Sequence, residues 1–264
     1  MMSLEEQKEF QKNIINISGI TGRYQREIFT DNVSMMAYAI ANSVEPNKEK
    51  WQQRENEYLK IVKKYKKEHI DLMIQNYGHL INGLQKKVTD FLGGIYENLQ
   101  VNNKNAGQFF TPFHISELMA NISISDEELK KVAESDDVVP IGDPTCGAGN
   151  LFLGAIYNVN KLLIDEVKRA KIQRNIIFVG QDIDLACVHM SYVQCAMLGY
   201  SGLFQHMDTL AQKCWDTYYT PSYYLFNSEM RWRNKIRRNR ESSIKNQLLQ
   251  MLNSDIFLKL GDLN

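Results

Sequence analysis

Three aspartates stand at the ends of three short apolar segments in the second half of the chain. Asp143 closes the first segment, Asp182 closes the second and Asp208 closes the third. Short apolar runs that are bounded by turn residues are typical of buried strands. Because ligands bind beyond the carboxyl ends of parallel strands, we expect the three carboxylates to share one edge of a sheet and to face a common ligand.

A glycine-containing loop, DPTCGAGN at residues 143–150, follows the first of these segments. Gly147 and Gly149 allow a tight turn and a close approach of the backbone to a ligand, and the start of the next helix offers free N–H groups. The loop lacks the third spaced glycine of a dinucleotide site, and the acid directly before it repels a pyrophosphate. The pattern therefore suits a cationic ligand with an amino group, such as S-adenosylmethionine; a turn without a ligand is the alternative.

Strand and helix patterns alternate around these acids, which predicts a parallel sheet with helices packed on it. The expected elements are strands at 137–143, 175–182 and 202–208 and helices at 150–163 and 184–198. Ser125 is expected to cap a helix whose first turn is acidic. Asp184 is interpreted as a helix cap rather than as a ligand contact.

The first part of the chain has apolar residues at steps of three and four with charges between them, which indicates helices. The polar segment 102–105 is the predicted boundary between an N-terminal helical domain, residues 1–105, and an α/β domain, residues 106–264. The lysine-rich stretch 60–67 is interpreted as a solvated helix face, with a phosphate-facing surface as the alternative. The basic run 231–240 is either an exposed helix face or a contact for phosphates and bases.

Composition argues against several classes of protein. The 31 basic and 31 acidic residues balance, so any contact with nucleic acid must come from local patches. The 4 cysteines are scattered, which argues against a disulfide framework and a zinc site and for a reducing cytoplasm. The N-terminus lacks the pattern of a signal peptide, and no apolar run approaches the length of a membrane span. We therefore expect a cytoplasmic protein with no bound metal and no membrane partner.

Four sequence blocks in a fixed order resemble the N6-adenine DNA methyltransferases. The resemblance is strongest to the modification subunits of type I restriction–modification systems and to related phage and plasmid methylases. The blocks are GQFFTP at 107–112, DPTCGAGN at 143–150, GQDID at 180–184 and MDTL at 207–210. The segment FLGGIYE at 91–97 also resembles the helix that leads into the first block. The resemblance implies an α/β fold with a Rossmann-like, S-adenosylmethionine-dependent methyltransferase sheet, which we expect to be shortened, and an N-terminal helical domain.

The resemblance also implies which residues hold S-adenosylmethionine. They are Phe109, Thr111, Pro112, Asp143, Cys146, Gly147, Gly149, Asp182 and Asp208. The first three would cover the methionine end of the cofactor, and the glycine loop would line its amino-acid moiety. Asp182 would hold the ribose and Asp208 the adenine. Core packing of one phenylalanine ring and a helix start at Thr111-Pro112 are the alternatives.

The stretch WDTYYTPSY, residues 215–223, aligns with the catalytic strand of that family, which ends in Asn or Asp, Pro, Pro and Tyr or Phe. In the family the first side chain and a proline carbonyl accept the hydrogens of the target adenine's amino group, and the aromatic ring stacks on the flipped base. The alignment predicts Thr220, Pro221 and Tyr223 as catalytic positions. A Thr hydroxyl is shorter than an amide and must place its own proton elsewhere before it can accept. Adenine methylation by this chain alone is therefore expected to be weak or absent, and a plain β-turn is the alternative.

Two functions are compatible with these patterns. The first is an S-adenosylmethionine-binding, adenine-N6-specific DNA methyltransferase with a degenerate catalytic tetrapeptide. The second is an inactive partner or regulatory subunit that binds cofactor, DNA or both in restriction–modification or in phage or plasmid biology. In either case DNA is the expected partner, and a separate specificity subunit or a homo-oligomer would select the site. Methylation of a protein or a small molecule is a third option.

Overall fold

The computed structural model describes residues 5–100, 111–162 and 165–243. In chain order its elements are α1 (Glu5–Thr21), α2 (Gln25–Asn42), α3 (Lys48–Val62), α4 (Lys67–Lys86), α5 (Phe91–Gln100), α6 (Phe113–Ser123), α7 (Asp126–Glu134), β1 (Val139–Asp143), α8 (Asn150–Leu162), α9 (Glu166–Asn175), β2 (Ile176–Asp182), α10 (Leu185–Met197), β3 (Ser201–Asp208), β4 (Lys213–Tyr219), α11 (Pro221–Leu225) and α12 (228–243). The predicted α/β class and the predicted N-terminal helical region are confirmed.

Within the described residues the sheet has four strands, in the order β1-β2-β3-β4. β1 pairs with β2 and β2 with β3 in parallel, so the three predicted strands are confirmed. β4 runs antiparallel to β3, with Leu203 opposite Tyr219 and Asp208 opposite Lys213. The expectation of a wholly parallel sheet is therefore wrong at this strand. The physical reason is the short connection 209–212, because a parallel neighbour requires a crossover of about a dozen residues or more.

Aromatic rings fill the space between the sheet and its helices. Phe152 of α8 lies 4.9 Å from the Phe178 ring of β2 and 5.9 Å from the Phe204 ring of β3. A Cβ added at Gly180 would come within 2.7 Å of Phe204, so a glycine here makes room for the rings. Trp232 of α12 packs against a smaller cluster on the other face of the sheet, which contains Val138, Ile177 and Tyr223. The sheet is thus packed on both faces, as a parallel sheet requires.

A single buried cluster continues from α1–α5 into α8, α10 and the sheet. The domain boundary predicted at 102–105 lies outside the described residues, so the division into two domains remains a proposal. Among the helices of the described ranges, none combines the length and the apolar character needed to cross a bilayer.

Arg54 joins α3 to the sheet. Its side chain is 5% exposed, and its guanidinium lies 2.6 Å from Glu45 and 3.3 Å from Asp216. It also donates to the Thr217 carbonyl at 2.9 Å and lies 4.8 Å from the centre of the Tyr218 ring. Because a buried charge that loses its partners is costly, these contacts hold α3 beside β4.

His189 of α10 lies in the interface with α2 and is completely buried. Ser34 Oγ lies 3.0 Å from its Nδ1 atom, and the Tyr38 and Tyr218 rings meet it edge-on. Burial lowers the pKa of His189 from 6.5 to about 3, and the positive charges of His206 and Arg54 add to the effect. The histidine therefore folds as the neutral form.

This histidine is expected to make the fold acid-sensitive. The pKa of His189 is lower in the folded than in the unfolded chain. The stability that the neutral histidine contributes to the fold is therefore present above pH 6.5 and is lost as the pH falls toward 3. Below pH 6 the free energy of unfolding should fall by up to about 1.4 kcal/mol per pH unit for this one proton. Urea titrations of the wild type and of His189→Gln between pH 4 and 8 test this. Equal pH slopes in both proteins would contradict it.

Candidate functional site

The carboxyl ends of β1, β2 and β3 meet at one edge of the sheet, here named the acidic rim, which carries Asp143, Asp182 and Asp208. Two hydrogen bonds join the three strand ends. The Gly147 N–H donates to Asp182 Oδ2 at 2.9 Å, and Thr209 Oγ1 donates to the Pro144 carbonyl at 2.9 Å. The glycine loop is thus held against the ends of β2 and β3, and the predicted acids share one rim.

The electrostatics of the acidic rim favour a cation. Asp143 is 8% exposed, and burial raises its pKa, with the nearby Asp182 charge adding to the shift. An ammonium or sulfonium group offsets both effects, whereas a phosphate increases the repulsion. Asn150 Oδ1, at the start of α8, is buried and has no hydrogen-bond partner among the described residues, so it offers a further acceptor. The residues present therefore fit S-adenosylmethionine better than a nucleotide phosphate.

The conformation of the glycine loop requires glycine at positions 147 and 149. Gly147 has φ 52° and Gly149 has φ 90°, a region that side chains with a Cβ rarely occupy. A Cβ at Gly149 would also lie 2.6 Å from Ser191 Oγ of α10. The Cys146 N–H donates to the Gln181 carbonyl at 2.8 Å, and burial raises the pKa of the Cys146 thiol well above its usual value. Cys146 is thus a neutral packing residue beneath the loop.

The carboxylates of Asp182 and Asp208 also accept hydrogen bonds from nearby backbone N–H groups. Asp182 Oδ1 accepts from the Asp184 N–H at 2.9 Å, and Asp208 Oδ1 accepts from the Ala211 N–H at 2.9 Å. Each oxygen keeps a further lone pair for a ligand. Asp184 caps α10 by accepting from the Ala186 N–H at 2.8 Å, as predicted for that residue. Asp182 and Asp184 are therefore close in sequence but differ in role: Asp182 holds the glycine loop, and Asp184 caps α10.

Only the end of the GQFFTP block, Thr111-Pro112, lies within the described residues. Phe109 lies outside the described residues. Thr111 accepts through its carbonyl from Asn150 Nδ2 at 2.6 Å, and Pro112 is the N-cap residue of α6. The helix start that was an alternative for these two residues is therefore present. The contact with Asn150 also brings the end of the block to the glycine loop.

A buried polar network, which the sequence analysis did not identify, supports the glycine loop from behind. Gln194 of α10 is completely buried; its Oε1 accepts from the N–H groups of Phe91 at 2.8 Å and Leu92 at 3.1 Å. Its Nε2 donates to the Ala148 carbonyl at 2.9 Å and to Asp90 Oδ1 at 3.3 Å. Gln194 therefore ties the start of α5 to the glycine loop.

Asp90 is the second member of this network. Its Oδ1 accepts from the Gly93 N–H at 2.8 Å, and its Oδ2 accepts from Asn150 Nδ2 at 3.0 Å. Burial raises the pKa of Asp90 to about 6 despite the hydrogen bonds from Gly93 and Gln194. A Cβ at Gly93 would lie 2.1 Å from Asp90 Oδ2, so this glycine makes room for the carboxyl. An aspartate three residues before a glycine in a helical pattern is typical of a helix N-cap, and this pattern could have indicated Asp90 from the sequence.

The residues expected to be catalytic lie at the opposite edge of the sheet. Because β4 is antiparallel, its carboxyl end reaches the amino ends of the other strands. Thr220 is completely buried; its Oγ1 accepts from the Gly202 N–H at 2.9 Å and donates to the Tyr200 carbonyl at 2.9 Å. Gly202 stands at the start of β3 and Tyr200 directly precedes the strand, so both lie far from Asp208 at its other end. This arrangement does not bring Thr220 to the acidic rim, and its catalytic role remains a prediction.

Pro221 and Tyr223 are also used structurally. Pro221 is the first residue of the short helix α11, a position that suits proline. Tyr223 is 4% exposed, packs 4.9 Å from the Tyr219 ring and donates to Glu229 Oε2 at 2.9 Å. The alternative interpretation, a turn in which the tyrosine only packs, agrees with these contacts, although the turn continues into a helix.

Replacing Thr220 by asparagine is expected to restore no methyl transfer and to destabilise the fold by about 1–3 kcal/mol. Thr220 is completely buried, so the longer side chain cannot keep the paired bonds to Gly202 and Tyr200, and buried groups are left unsatisfied. Thermal unfolding measures the loss, and Thr220→Ser, which keeps the hydroxyl, is the control. Methyl transfer gained in Thr220→Asn would mean that this segment does reach the cofactor.

Three of the six basic residues in the run 231–240 contact the edge of the sheet or the segment before it. Arg231 donates to the Arg174 and Asp136 carbonyls, and Lys235 donates to the Val138 carbonyl at 2.7 Å. Arg238 pairs with Asp137. The contacts of Arg231 and Lys235 fasten α12 to the amino edge of the sheet, while most of the run stays exposed, which agrees with the exposed helix face.

Within the described ranges no group of three or more His, Cys, Asp or Glu is arranged to hold a metal ion. All four cysteines are free thiols, with Cys214 exposed and the others buried.

Comparison with known proteins agrees with the sequence blocks. The family model described as N-6 DNA Methylase matches residues 87–250, more than half of the chain. The Type I restriction enzyme MpnII methylase subunit of Mycoplasma pneumoniae (strain ATCC 29342 / M129 / Subtype 1) is 30% identical over 151 residues, which are 53% of this chain and 24% of that protein. The chain thus spans about a quarter of the length of this curated relative.

Among solved structures, the chain is similar to the crystal structure of the type I restriction-modification system methyltransferase subunit from Streptococcus thermophilus. The match has 15% sequence identity and a TM-score of 0.32, and it covers 74% of this chain and 56% of that one. The family match over residues 87–250 includes the glycine loop and all three acids of the rim. The chain belongs to the N-6 DNA methylase family.

Proposed function

We propose that the chain binds S-adenosylmethionine at the acidic rim. The observation that carries the proposal is the hydrogen bond between Gly147 and Asp182, which sets the glycine loop against the ends of the parallel strands. When bound, the cofactor supplies a methyl group on a positively charged sulfur. Asp143 and the loop would hold the ammonium end, Asp182 the ribose hydroxyls and Asp208 the adenine amino group.

Thr111 and Pro112 support the same proposal from the side of α6. The bond from Asn150 to the Thr111 carbonyl places this segment at the start of α8, beside the loop that would hold the amino-acid moiety. Together with Phe109, these residues would cover the methionine end of the cofactor. Cys146 would contribute shape rather than chemistry, because its thiol is buried and neutral.

We further propose that this chain alone does not transfer the methyl group to adenine. Thr220, Pro221 and Tyr223 lie at the amino edge of the parallel strands, and no Asn-Pro-Pro or Asp-Pro-Pro occurs in the sequence. In this family the acceptor amide is preorganised beside the base. A chain without that group is better suited to act as a cofactor-binding or DNA-binding partner in restriction–modification or in phage or plasmid biology.

The partners follow from the family. We propose DNA as the polymer that the chain serves, and a separate specificity subunit or a second copy of the chain as the source of site selection. A cytoplasmic location suits the free thiols, which persist in reducing compartments.

Calorimetric titration of S-adenosylmethionine, followed by an assay of labelled methyl transfer to unmodified DNA, tests the proposal. We expect binding at a stoichiometry of about one per chain and no transfer above background. Absence of binding would refute the cofactor site. Transfer by the purified chain would instead favour the active methyltransferase.

A further inference from the structure

A polar groove of about 870 Å³ lies between α3 and the edge of the sheet that β3 and β4 form. Exposed lysines line its helical side: Lys50, Lys60 and Lys63. Trp215 lines the sheet side together with His206. We call this feature the lysine–tryptophan groove. Part of the lysine-rich stretch 60–67, for which a phosphate-facing surface was the alternative, thus borders a concave surface.

The groove keeps free positive charge. Lys50 and Lys63 form no ion pair with any residue in the described part of the chain, and Lys60 pairs only with Glu57, which is itself exposed. Arg54 lies beneath, but Glu45 and Asp216 already neutralise it. Exposed ion pairs contribute little and exchange readily. Since Glu57 also lines the groove, three ammonium groups stand against one exposed carboxylate, and the balance favours an anionic ligand.

Trp215 gives the groove a flat apolar surface as well. The side chain is 46% exposed, and its ring centre lies 4.6 Å from that of His206. His206 is held in turn, because its Nε2 atom lies 3.1 Å from the Ile183 carbonyl. The Lys213 ammonium lies 5.8 Å from the centre of the indole ring. A supported and partly exposed indole beside cations is the arrangement on which unpaired bases stack.

The antiparallel course of β4 places this groove at the acidic rim. Trp215 stands near the start of β4, and His206 lies opposite Asp182 in the register of β2 and β3. The groove therefore opens beside the strand ends that are proposed to hold the cofactor. By contrast, the basic run of α12 is fastened to the other edge of the sheet.

We propose that the lysine–tryptophan groove binds unpaired nucleotides of a nucleic-acid strand. Lys50, Lys60 and Lys63 contact phosphates at intervals along the strand, and one base stacks on Trp215. The inference deepens the proposed function and rests on it for the choice of a nucleic acid over other polyanions. A duplex keeps its bases stacked on one another, so it can use the lysines but not the indole.

The charge contribution is tested by fluorescence anisotropy with a labelled single-stranded oligonucleotide of about 16 nucleotides. Lys50→Ala/Lys63→Ala should weaken binding by about tenfold at low salt and reduce the salt slope by about 1.4, since each phosphate contact contributes about 0.7. Lys66→Ala/Lys67→Ala is the matched control, because it removes the same charge from the same lysine-rich region outside the groove. Equal effects of the two double variants would overturn the proposal.

The stacking contribution is tested with Trp215→Ala and Trp215→Phe. Trp215→Ala should weaken single-strand binding by about tenfold without changing the salt slope, and Trp215→Phe should keep most of the affinity. Binding that is insensitive to Trp215, or equal for duplex and single strand, would overturn the assignment of unpaired nucleotides. Tight displacement of the oligonucleotide by an acidic peptide, with no preference for nucleic acid, would overturn it too.

Calorimetry with S-adenosylmethionine on the same variants separates this inference from the proposed function. Unchanged cofactor affinity in every groove variant is expected and also shows that the variants are folded. A chain that binds the cofactor but no oligonucleotide refutes the groove alone. A chain that binds the oligonucleotide through the groove but no cofactor refutes the cofactor site alone.

Discussion

Replacing Asp182 by alanine is expected to weaken the binding of S-adenosylmethionine by about 100-fold or more. The carboxylate accepts from the Gly147 N–H and from the Asp184 N–H, both at 2.9 Å, so its loss releases the glycine loop from the end of β2. The same carboxylate is proposed to accept from the ribose hydroxyls. Hydrogen bonds to a charged group contribute about 1.5–3 kcal/mol each. Loss of two of them therefore weakens binding by a factor of more than about 100.

Asp184→Ala is the matched control, since it removes a carboxylate only two residues away. Asp184 caps α10 through the Ala186 N–H, so its loss should cost about 1 kcal/mol of stability. The cofactor affinity of this variant should change by less than about threefold. Calorimetric titration measures the affinity and thermal unfolding measures the stability of both variants. The same loss of affinity in both would assign it to general damage at the start of α10 instead of to the rim.

The acidic rim was predictable from the sequence because its signals are local. Each acid directly follows an apolar run, and parallel strands bring such positions to one edge. The Ser125 cap was local in the same way, and the structure has the full capping box with Glu128. In contrast, the partners of Gln194 lie 46, 102, 103 and 104 residues away along the chain. No periodicity links residues at such separations, although a glutamine within an apolar helix does indicate a buried polar contact.

The position of Thr220 shows how a resemblance can outweigh a local signal. The connection between β3 and β4 contains only residues 209–212, which is the length of a hairpin loop and too short for a crossover. Applied to the sequence, this rule predicts that β4 reverses direction and carries Thr220 away from Asp208. The family alignment predicted the opposite edge. The loop length thus accounts for where the segment lies, and the catalytic role that the alignment implies remains a prediction.

The orientation of β4 also has a functional consequence that the sequence patterns did not indicate. Because the strand reverses, its first residues lie at the acidic rim while its last residues leave it. Asp216 pairs with Arg54 of α3 at 3.3 Å, so the helical region is fastened at the start of the same strand. The surface next to the proposed cofactor site is therefore built jointly by α3 and β4, whereas the basic run of α12 lies at the opposite edge of the sheet.

Replacing Gln194 by leucine is expected to destabilise the fold by about 4 kcal/mol and to weaken cofactor binding as well. Leucine has a similar volume, but it leaves the Phe91 and Leu92 N–H groups and the Ala148 carbonyl without the partners they have now. Each unsatisfied buried group costs about 1–3 kcal/mol. Gln173→Leu is the control, because Gln173 also donates to two carbonyls, those of Leu198 and Gly199, but lies half-buried and away from the glycine loop.

Gln194→Glu distinguishes the polar network from simple packing. The carboxylate still accepts from Phe91 and Leu92, but it loses the bond to Ala148 and faces Asp90, whose pKa burial already raises to about 6. Two like charges at this distance raise the folded-state pKa further. A carboxyl whose pKa is higher in the folded chain stabilises it at low pH, and that stability is lost as the pH rises through the folded-state pKa. Relative to the wild type, Gln194→Glu should therefore be more stable at pH 5 than at pH 7.5 in urea titrations, whereas a deficit independent of pH would indicate a packing defect alone.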